Sequence, residues 1–130
     1  MRAMIVDDSR AARSLMRRML QKMGYEVTEA ADGVEALEAM RAGTSVDLAL
    51  VDWNMPNMDG LDFVKAVRKE LRDADTTMIM VTSESDPKKV ARALMSGADE
   101  YLIKPIDIDM LCDKFDLLGL NFAVSSSEVG

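Results

Sequence analysis

The chain contains no histidine and only one cysteine, Cys112. Without histidine it cannot form a Ser-His-Asp triad, a His-ligated zinc site or a phosphohistidine of its own. A lone cysteine excludes an internal disulfide and any multi-cysteine metal centre, and leaves Cys112 as a small apolar residue of the last helical segment. Cations are outnumbered as well: 16 Lys and Arg stand against 23 Asp and Glu, a net charge of −7. Such a chain lacks the cationic field that non-specific binding to nucleic acid or to an anionic membrane requires. No apolar run approaches the roughly 20 residues of a membrane-spanning helix, and the N-terminus has no signal-peptide pattern, so a cytoplasmic location is expected. A length of 130 residues suits one domain with an ordinary core, not a two-domain enzyme.

What is present alternates regularly. Ala3–Val6 is a short apolar run that ends at Asp7-Asp8. Ala12, Leu15, Met16, Met19, Leu20 and Met23 then recur at helical spacing, with Ser9 as N-cap and Gly24 as the stop. Residues 25–30 read as a strand. Residues 33–40 read as a helix capped by Asp32, with Val34, Ala36, Leu37 and Met40 inward, and residues 46–51 as a strand ending at Asp52. The second half repeats the scheme: a helix from Asp59 to Leu71, a strand 77–81 ending at Thr82-Ser83, and a helix opened by Pro87 and closed by Gly97. A last strand, 101–103, leads into Lys104-Pro105 and a helix capped by Asp107. Five strand–helix units with apolar strands predict an α/β fold, a parallel sheet covered on both faces. The 12 methionines fall mostly at helix or strand core positions and read as adaptable core filler, not as a binding groove.

In an open parallel sheet, ligands bind beyond the carboxyl ends of the strands. Those ends carry Asp7-Asp8, Asp52, Thr82-Ser83 and Lys104-Pro105. Any one of them alone would pass as a cap or a solvated turn; together they are three carboxylates, two hydroxyls and an ammonium. Carboxylates gathered in one pocket repel unless a cation joins them. Oxygen ligands without His or Cys select Mg2+, with Mn2+ as a substitute. Carboxylates, a hard cation, a hydroxyl and a lysine are equipped for phosphoryl transfer, and a carboxylate can itself be the nucleophile, giving an acyl phosphate.

Residues 1–119 resemble a response-regulator receiver domain, on the acidic pair Asp7-Asp8, Asp52, Thr82, the run Gly97-Ala98-Asp99-Glu100-Tyr101, and Lys104-Pro105. The segment Asp52-Trp53-Asn54-Met55-Pro56-Asn57-Met58-Asp59-Gly60 is similar to that of single-domain chemotaxis regulators of flagellated bacteria. The resemblance implies a flavodoxin-like (βα)5 fold, a doubly wound three-layer α/β/α sandwich with strand order 2-1-3-4-5. It implies that Asp52 accepts a phosphoryl group from a phosphohistidine on a sensor histidine kinase or a histidine phosphotransfer protein. Asp8, Asp52 and the backbone carbonyl of Asn54 would bind Mg2+, with Asp7 acting through water, Lys104 contacting the phosphoryl group, and the Lys104–Pro105 bond cis. Thr82 would then move toward the phosphoryl group and Tyr101 turn inward, altering the surface of the fourth helix, fifth strand and fifth helix where a target docks, such as a flagellar motor switch protein. Without the resemblance, Tyr101 reads as a half-buried strand-end aromatic with its hydroxyl in water. Asn54 and Glu84 occupy positions that tune dephosphorylation in the family; Ser83 adds a hydroxyl where the family often has alanine.

The resemblance further implies a phosphoacceptor that assists its own phosphorylation and dephosphorylation, not an enzyme, and a monomer. An aspartate-nucleophile phosphatase would want an Asp-x-Asp motif and a cap domain. A flavodoxin-like electron carrier would want a Ser/Thr/Gly-rich loop where this chain has two anions. Two features stay open. The basic first helix (Arg10, Arg13, Arg17, Arg18 and Lys22) is either a solvated face that balances the acidic site or a docking face for the phosphodonor. Residues 120–130 read as a flexible tail, or as the linker stub of a longer regulator with another output. Trp53, the only tryptophan, stands next to Asp52 as a natural reporter.

Overall fold

Strands and helices alternate through residues 1–123, the part of the chain that the computed structural model describes. In chain order they are β1 (Arg2–Val6), α1 (Arg10–Lys22), β2 (Glu26–Ala30), α2 (Gly33–Arg41), β3 (Leu48–Val51), α3 (Gly60–Lys69), β4 (Thr77–Thr82), α4 (Pro87–Met95), β5 (Glu100–Ile103) and α5 (Ile108–Leu118). Every helix begins where a side-chain oxygen takes up a free backbone N–H: Ser9, Asp32, Asp59, Asp86 and Asp107 accept from Ala12, Glu35, Asp62, Lys88 and Met110 respectively. Each such cap contributes about 1 kcal/mol, and four of the chain's aspartates are accounted for by it.

All strand pairs are parallel and the order is β2-β1-β3-β4-β5, as the resemblance implies. Alternation along the strands divides the interior into two apolar layers. Ala3, Ile5, Leu48, Leu50, Ile79, Val81 and Leu102 face Met16 and Leu20 of α1 and Leu111 and Phe115 of α5. Met4, Val6, Ala49, Val51, Met78, Met80 and Tyr101 face Leu37 of α2, Phe63, Val64 and Val67 of α3, and Ala93 of α4. Five methionines are buried, Met4, Met16, Met23, Met78 and Met80, whereas Met95 on α4 is 89% exposed. Among the described residues no helix is long and apolar enough to cross a membrane.

Some expectations shift. Val34 lies outward, because a nine-residue helix buries only a narrow stripe, which Gly33, Ala36 and Leu37 fill. The flexible tail expected from residue 120 is instead held at its start. The amide of Leu120 donates to the Phe115 carbonyl (2.9 Å), the Tyr25 hydroxyl to the Asn121 carbonyl (2.9 Å), and the Ala123 amide to the Met23 carbonyl (2.9 Å). Phe122 meets Phe115 edge to face, with centroids 5.9 Å apart, and Phe115 meets Tyr25 in the same way at 5.6 Å. Gly24, at φ +91°, supplies the left-handed turn between α1 and β2 beside which Ala123 lies. Residues 124–130, the remainder of that expected tail or linker stub, lie outside the described residues.

Candidate functional site

The chain steps outward from β1 to β2, then returns to lay β3 on the other side of β1, so strand order reverses between β1 and β3. A crevice opens there at the carboxyl ends of the strands. The register pairs Val6 with Val51, and the Asp52 amide donates to the Val6 carbonyl at 2.9 Å, which brings the residues after both strands together. Carboxylate oxygens of Asp7, Asp8 and Asp52 come within 4.8 Å of one another. Asp7 is fully buried, Asp8 exposed, and Asp52 between the two.

Lys104 reaches this cluster from the end of β5, where its amide is tied to the Thr82 carbonyl at 2.9 Å and its bond to Pro105 is cis. Its ammonium donates to Asp7 Oδ2 at 2.8 Å and to Asp52 Oδ2 at 3.4 Å. Burial pulls the Lys104 pKa down, but the hydrogen bond to Asp7 and the charges of Asp52 and Asp7 outweigh it and hold it above its ordinary 10.5. The other Asp7 oxygen accepts from the Ser9 amide at 2.8 Å, and Asp52 Oδ1 from the Trp53 amide at 2.8 Å. Three carboxylates facing one ammonium carry an excess of negative charge. The donor set is all oxygen, which fits a hard divalent cation such as Mg2+. Asn54 follows two residues after Asp52, in the exposed loop leading to α3.

That loop is held tightly. A side chain at Gly60 would run into the Asp52 carbonyl oxygen, and the Gly60 amide already donates to the Trp53 carbonyl at 2.8 Å. Asn57, at φ 67°, donates to Asp32 at the start of α2 (2.8 Å).

Thr82 is wholly buried at the end of β4, and its hydroxyl accepts a long bond, 3.4 Å, from the Glu84 amide. The Tyr101 ring is buried, and its hydroxyl donates to the Glu84 carbonyl at 2.8 Å. The plain expectation of a tyrosine hydroxyl in water therefore fails; burial first, then the charges of Glu84 and Asp52, push its pKa up. The Glu84 carboxylate pairs with Lys89 at 3.1 Å, and the Lys89 ammonium lies 5.8 Å from the Trp53 ring centroid. Nothing in the sequence pointed to Lys89, since Glu84 precedes α4 and the pair has no helical spacing.

On α1 the basic residues divide. Arg13 and Arg17 turn toward Glu29 on β2, at 3.0 and 2.6 Å, so neither is a freely solvated side chain. Arg10 and Arg18 are exposed. Between α1 and the segment after β5 lies an apolar cavity of about 320 Å³, lined by Ala12, Leu15, Met16, Ser83, Lys104 and Pro105.

Residues 3–116 match the family model described as the response regulator receiver domain. The chain is 40% identical over 123 residues to the chemotaxis protein CheY1 of Helicobacter pylori, covering 93% of this chain and 99% of that one. Among solved structures it is similar to the chemotaxis response regulator CheY4 of Vibrio cholerae, at 38% identity and TM-score 0.80 over 90% of this chain and 97% of the other. It is also similar to the response regulator TrrA of Thermotoga maritima, solved in complex with Mg(2+)-BeF, at 33% identity and TM-score 0.78 over 90% and 97%.

Proposed function

The chain belongs to the response regulator receiver domain family, the receiver of two-component signalling, and on that premise we propose that Asp52 is its phosphoacceptor. The observation that carries this reading is the meeting of Asp7, Asp8 and Asp52 within 4.8 Å, with the Lys104 ammonium 3.4 Å from Asp52. An Asp52 carboxylate oxygen attacks the phosphorus of a phosphohistidine on a sensor kinase or phosphotransfer protein. The P–N bond breaks with its electron pair going to the imidazole, and an acyl phosphate forms on Asp52. Lys104 offers its ammonium to the phosphoryl oxygens, and Thr82 its hydroxyl. Hydrolysis by water returns the carboxylate and releases inorganic phosphate, with Asn54 and Glu84 tuning its rate. The protein thus assists its own phosphorylation and dephosphorylation without turning over a separate substrate.

Asp8, Asp52 and the Asn54 carbonyl would hold Mg2+ or Mn2+, with Asp7 behind them through water. The cation supplies positive charge for the transferring phosphoryl oxygens. The magnesium and phosphoryl mimic in the Thermotoga maritima relative support this assignment. The apolar cavity between α1 and Pro105, which Lys104 also lines, offers a seat for the phosphohistidine-bearing helix.

Output follows from the same end of the sheet. Phosphorylation draws Thr82 toward the new oxygens, favours the inward Tyr101, and so selects one shape of the α4–β5–α5 surface, where Met95, Ile103 and Leu117 are exposed apolar side chains. The chemotaxis relatives support a flagellar motor switch protein as the target. The test is Trp53 fluorescence: it should change with magnesium and again with beryllofluoride, and Asp52→Ala should abolish the second change. No change with either ligand sinks the assignment.

A further inference from the structure

Asp8 occupies an exposed position, and among the described residues its side chain makes no hydrogen bond or ion pair. Its place beside Asp52 is therefore set by the turn between β1 and α1. Three bonds close that turn. The Asp7 amide donates to the Ala30 carbonyl at 3.1 Å, the Ser9 amide to Asp7 Oδ1 at 2.8 Å, and Arg13 Nη1 to the Asp7 carbonyl at 2.6 Å. Of these three only the last comes from a side chain outside the turn; Lys104 holds the Asp7 carboxylate itself from β5, at 2.8 Å, but does not reach the turn backbone.

Arg13 is itself well fixed. Its side chain is 16% exposed, and its Nε donates to Glu29 Oε1 at 3.0 Å while Arg17 takes Oε2 at 2.6 Å. Burial works to raise the Glu29 pKa, but hydrogen bonds and charge from Arg17 and Arg13 outweigh it and keep it below its ordinary 4.5. Glu29 therefore stays ionised and clamps both guanidiniums. The planar fork of Arg13 spans the carboxylate on β2 and the carbonyl at the end of β1, a geometry that a lysine, with a single ammonium, does not reproduce.

We propose that Arg13, anchored by Glu29, is a positioning residue for the divalent-cation site: it locks the β1–α1 turn so that Asp7 and Asp8 face Asp52 before any cation binds. This rests on the phosphoacceptor reading above and replaces the docking role for Arg13. The sign of the effect separates positioning from plain electrostatics. A cation near a cation site repels the incoming ion, so loss of its charge alone would tighten magnesium binding. Loss of the lock loosens it. Partners that orient ligands from behind typically change metal affinity at least tenfold, and Arg13→Met should weaken magnesium binding by about tenfold.

The experiment titrates Mg2+ into the full chain without any phosphodonor, reading Trp53 fluorescence, with circular dichroism confirming the fold of each variant. Arg13→Met should bind about tenfold more weakly, Arg13→Lys should fall between it and wild type, and Glu29→Gln should weaken binding in the same direction. The double variant Arg13→Met/Glu29→Gln should be no worse than Arg13→Met, since the two act as one unit. Arg18→Met, which removes an equal charge from the exposed side of α1, should bind magnesium at least as tightly as wild type. Labelling by acetyl phosphate at limiting magnesium should follow the same order. If Arg13→Met is too unstable to study, Arg13→Lys and Glu29→Gln carry the test. Folded variants that bind magnesium like wild type, or more tightly, overturn the positioning role while leaving the phosphoacceptor reading intact. A wild-type protein without a magnesium response overturns both.

Discussion

The hydroxyl of Tyr101 donates to the backbone carbonyl of Glu84 at 2.8 Å, and through this one bond β5 is tied to the loop that leads from β4 into α4. The tyrosine sits inward, in the apolar layer shared with α3 and α4. Tyr101→Phe keeps the ring and removes the bond, at about 1 kcal/mol. The melting temperature should fall by about 4 °C. Labelling of Asp52 by acetyl phosphate should persist, while affinity for the target drops; unchanged target affinity would mean that the hydroxyl has no part in the switch.

Gly60 is required by space. A Cβ there meets the backbone carbonyl of Asp52, and that peptide would have to move. Gly60→Ala should cost about 2 kcal/mol through this overpacking. It should also displace Asp52, so that beryllofluoride no longer alters Trp53 fluorescence in protein that is still folded.

Arg68 offers a contrast at the opposite pole of the sheet. Its guanidinium donates to the carbonyls of Gly97 and Asp73 at 3.0 and 2.9 Å and to Asp99 at 2.9 Å, joining α3 to the starts of β4 and β5. Arg68→Met should lower stability by about 2 kcal/mol in chemical denaturation, because two half-buried carbonyls lose their donor. Phosphorylation kinetics, measured where the variant is folded, should match wild type.

Removing the metal should expose the strain of the acidic cluster. Magnesium at 100-fold its dissociation constant should add about 2.7 kcal/mol to the unfolding free energy. Asp8→Asn should raise the melting temperature in metal-free buffer, by relieving repulsion among the three carboxylates, and should abolish most of the gain from magnesium. A metal-free Asp8→Asn protein less stable than wild type contradicts the idea that this cluster is strained.

The pH profile follows from which groups are shifted. Glu29 lies below its ordinary 4.5, and so does Asp73 below 3.8, where burial is outweighed by hydrogen bonds from Thr76. A depressed carboxyl contributes stability that is complete above its unfolded pKa and is lost as pH falls through the folded value. Melting temperature should therefore decline as pH drops below about 4.5, and Glu29→Gln should make the decline shallower. Lys104 has the opposite sign: its contribution is complete below 10.5 and fades at higher pH, through its raised folded value. With no histidine, the metal-free profile should be nearly flat from about pH 5 to about pH 8; above that it should fall, because burial raises the Cys112 thiol above its ordinary 9.0 and Tyr25 and Tyr101 above 10.0.

What could be read from the sequence was local chemistry. Ser9, Asp32, Asp59 and Asp107 announced helix starts because a cap needs only the next three residues. Asp7, Asp8, Asp52 and Lys104 could be placed at one end of the sheet because each directly follows an apolar run. The order of the strands needed the family resemblance. The Arg13–Glu29 clamp was hidden because it exists only once β2 lies beside β1, and basic residues at helical spacing look alike whether solvated or clamped. The bond from Tyr101 to Glu84 uses a backbone acceptor, which carries no side-chain signature. Residues 121–123 lack helical periodicity and so read as tail, yet Phe122 finds an aromatic partner 5.9 Å away.

The anchoring of residues 121–123 beside Met23 and Tyr25 also matters to anyone who attaches something to this protein. The attachment point sits at the amino ends of parallel strands, whereas Asp52 and Lys104 occupy the carboxyl ends. A fluorophore or surface tether joined after Ala123 therefore starts its path a full strand length from the proposed phosphoacceptor. Immobilised through that end, the molecule turns the pole that carries Asp52 and Lys104 outward.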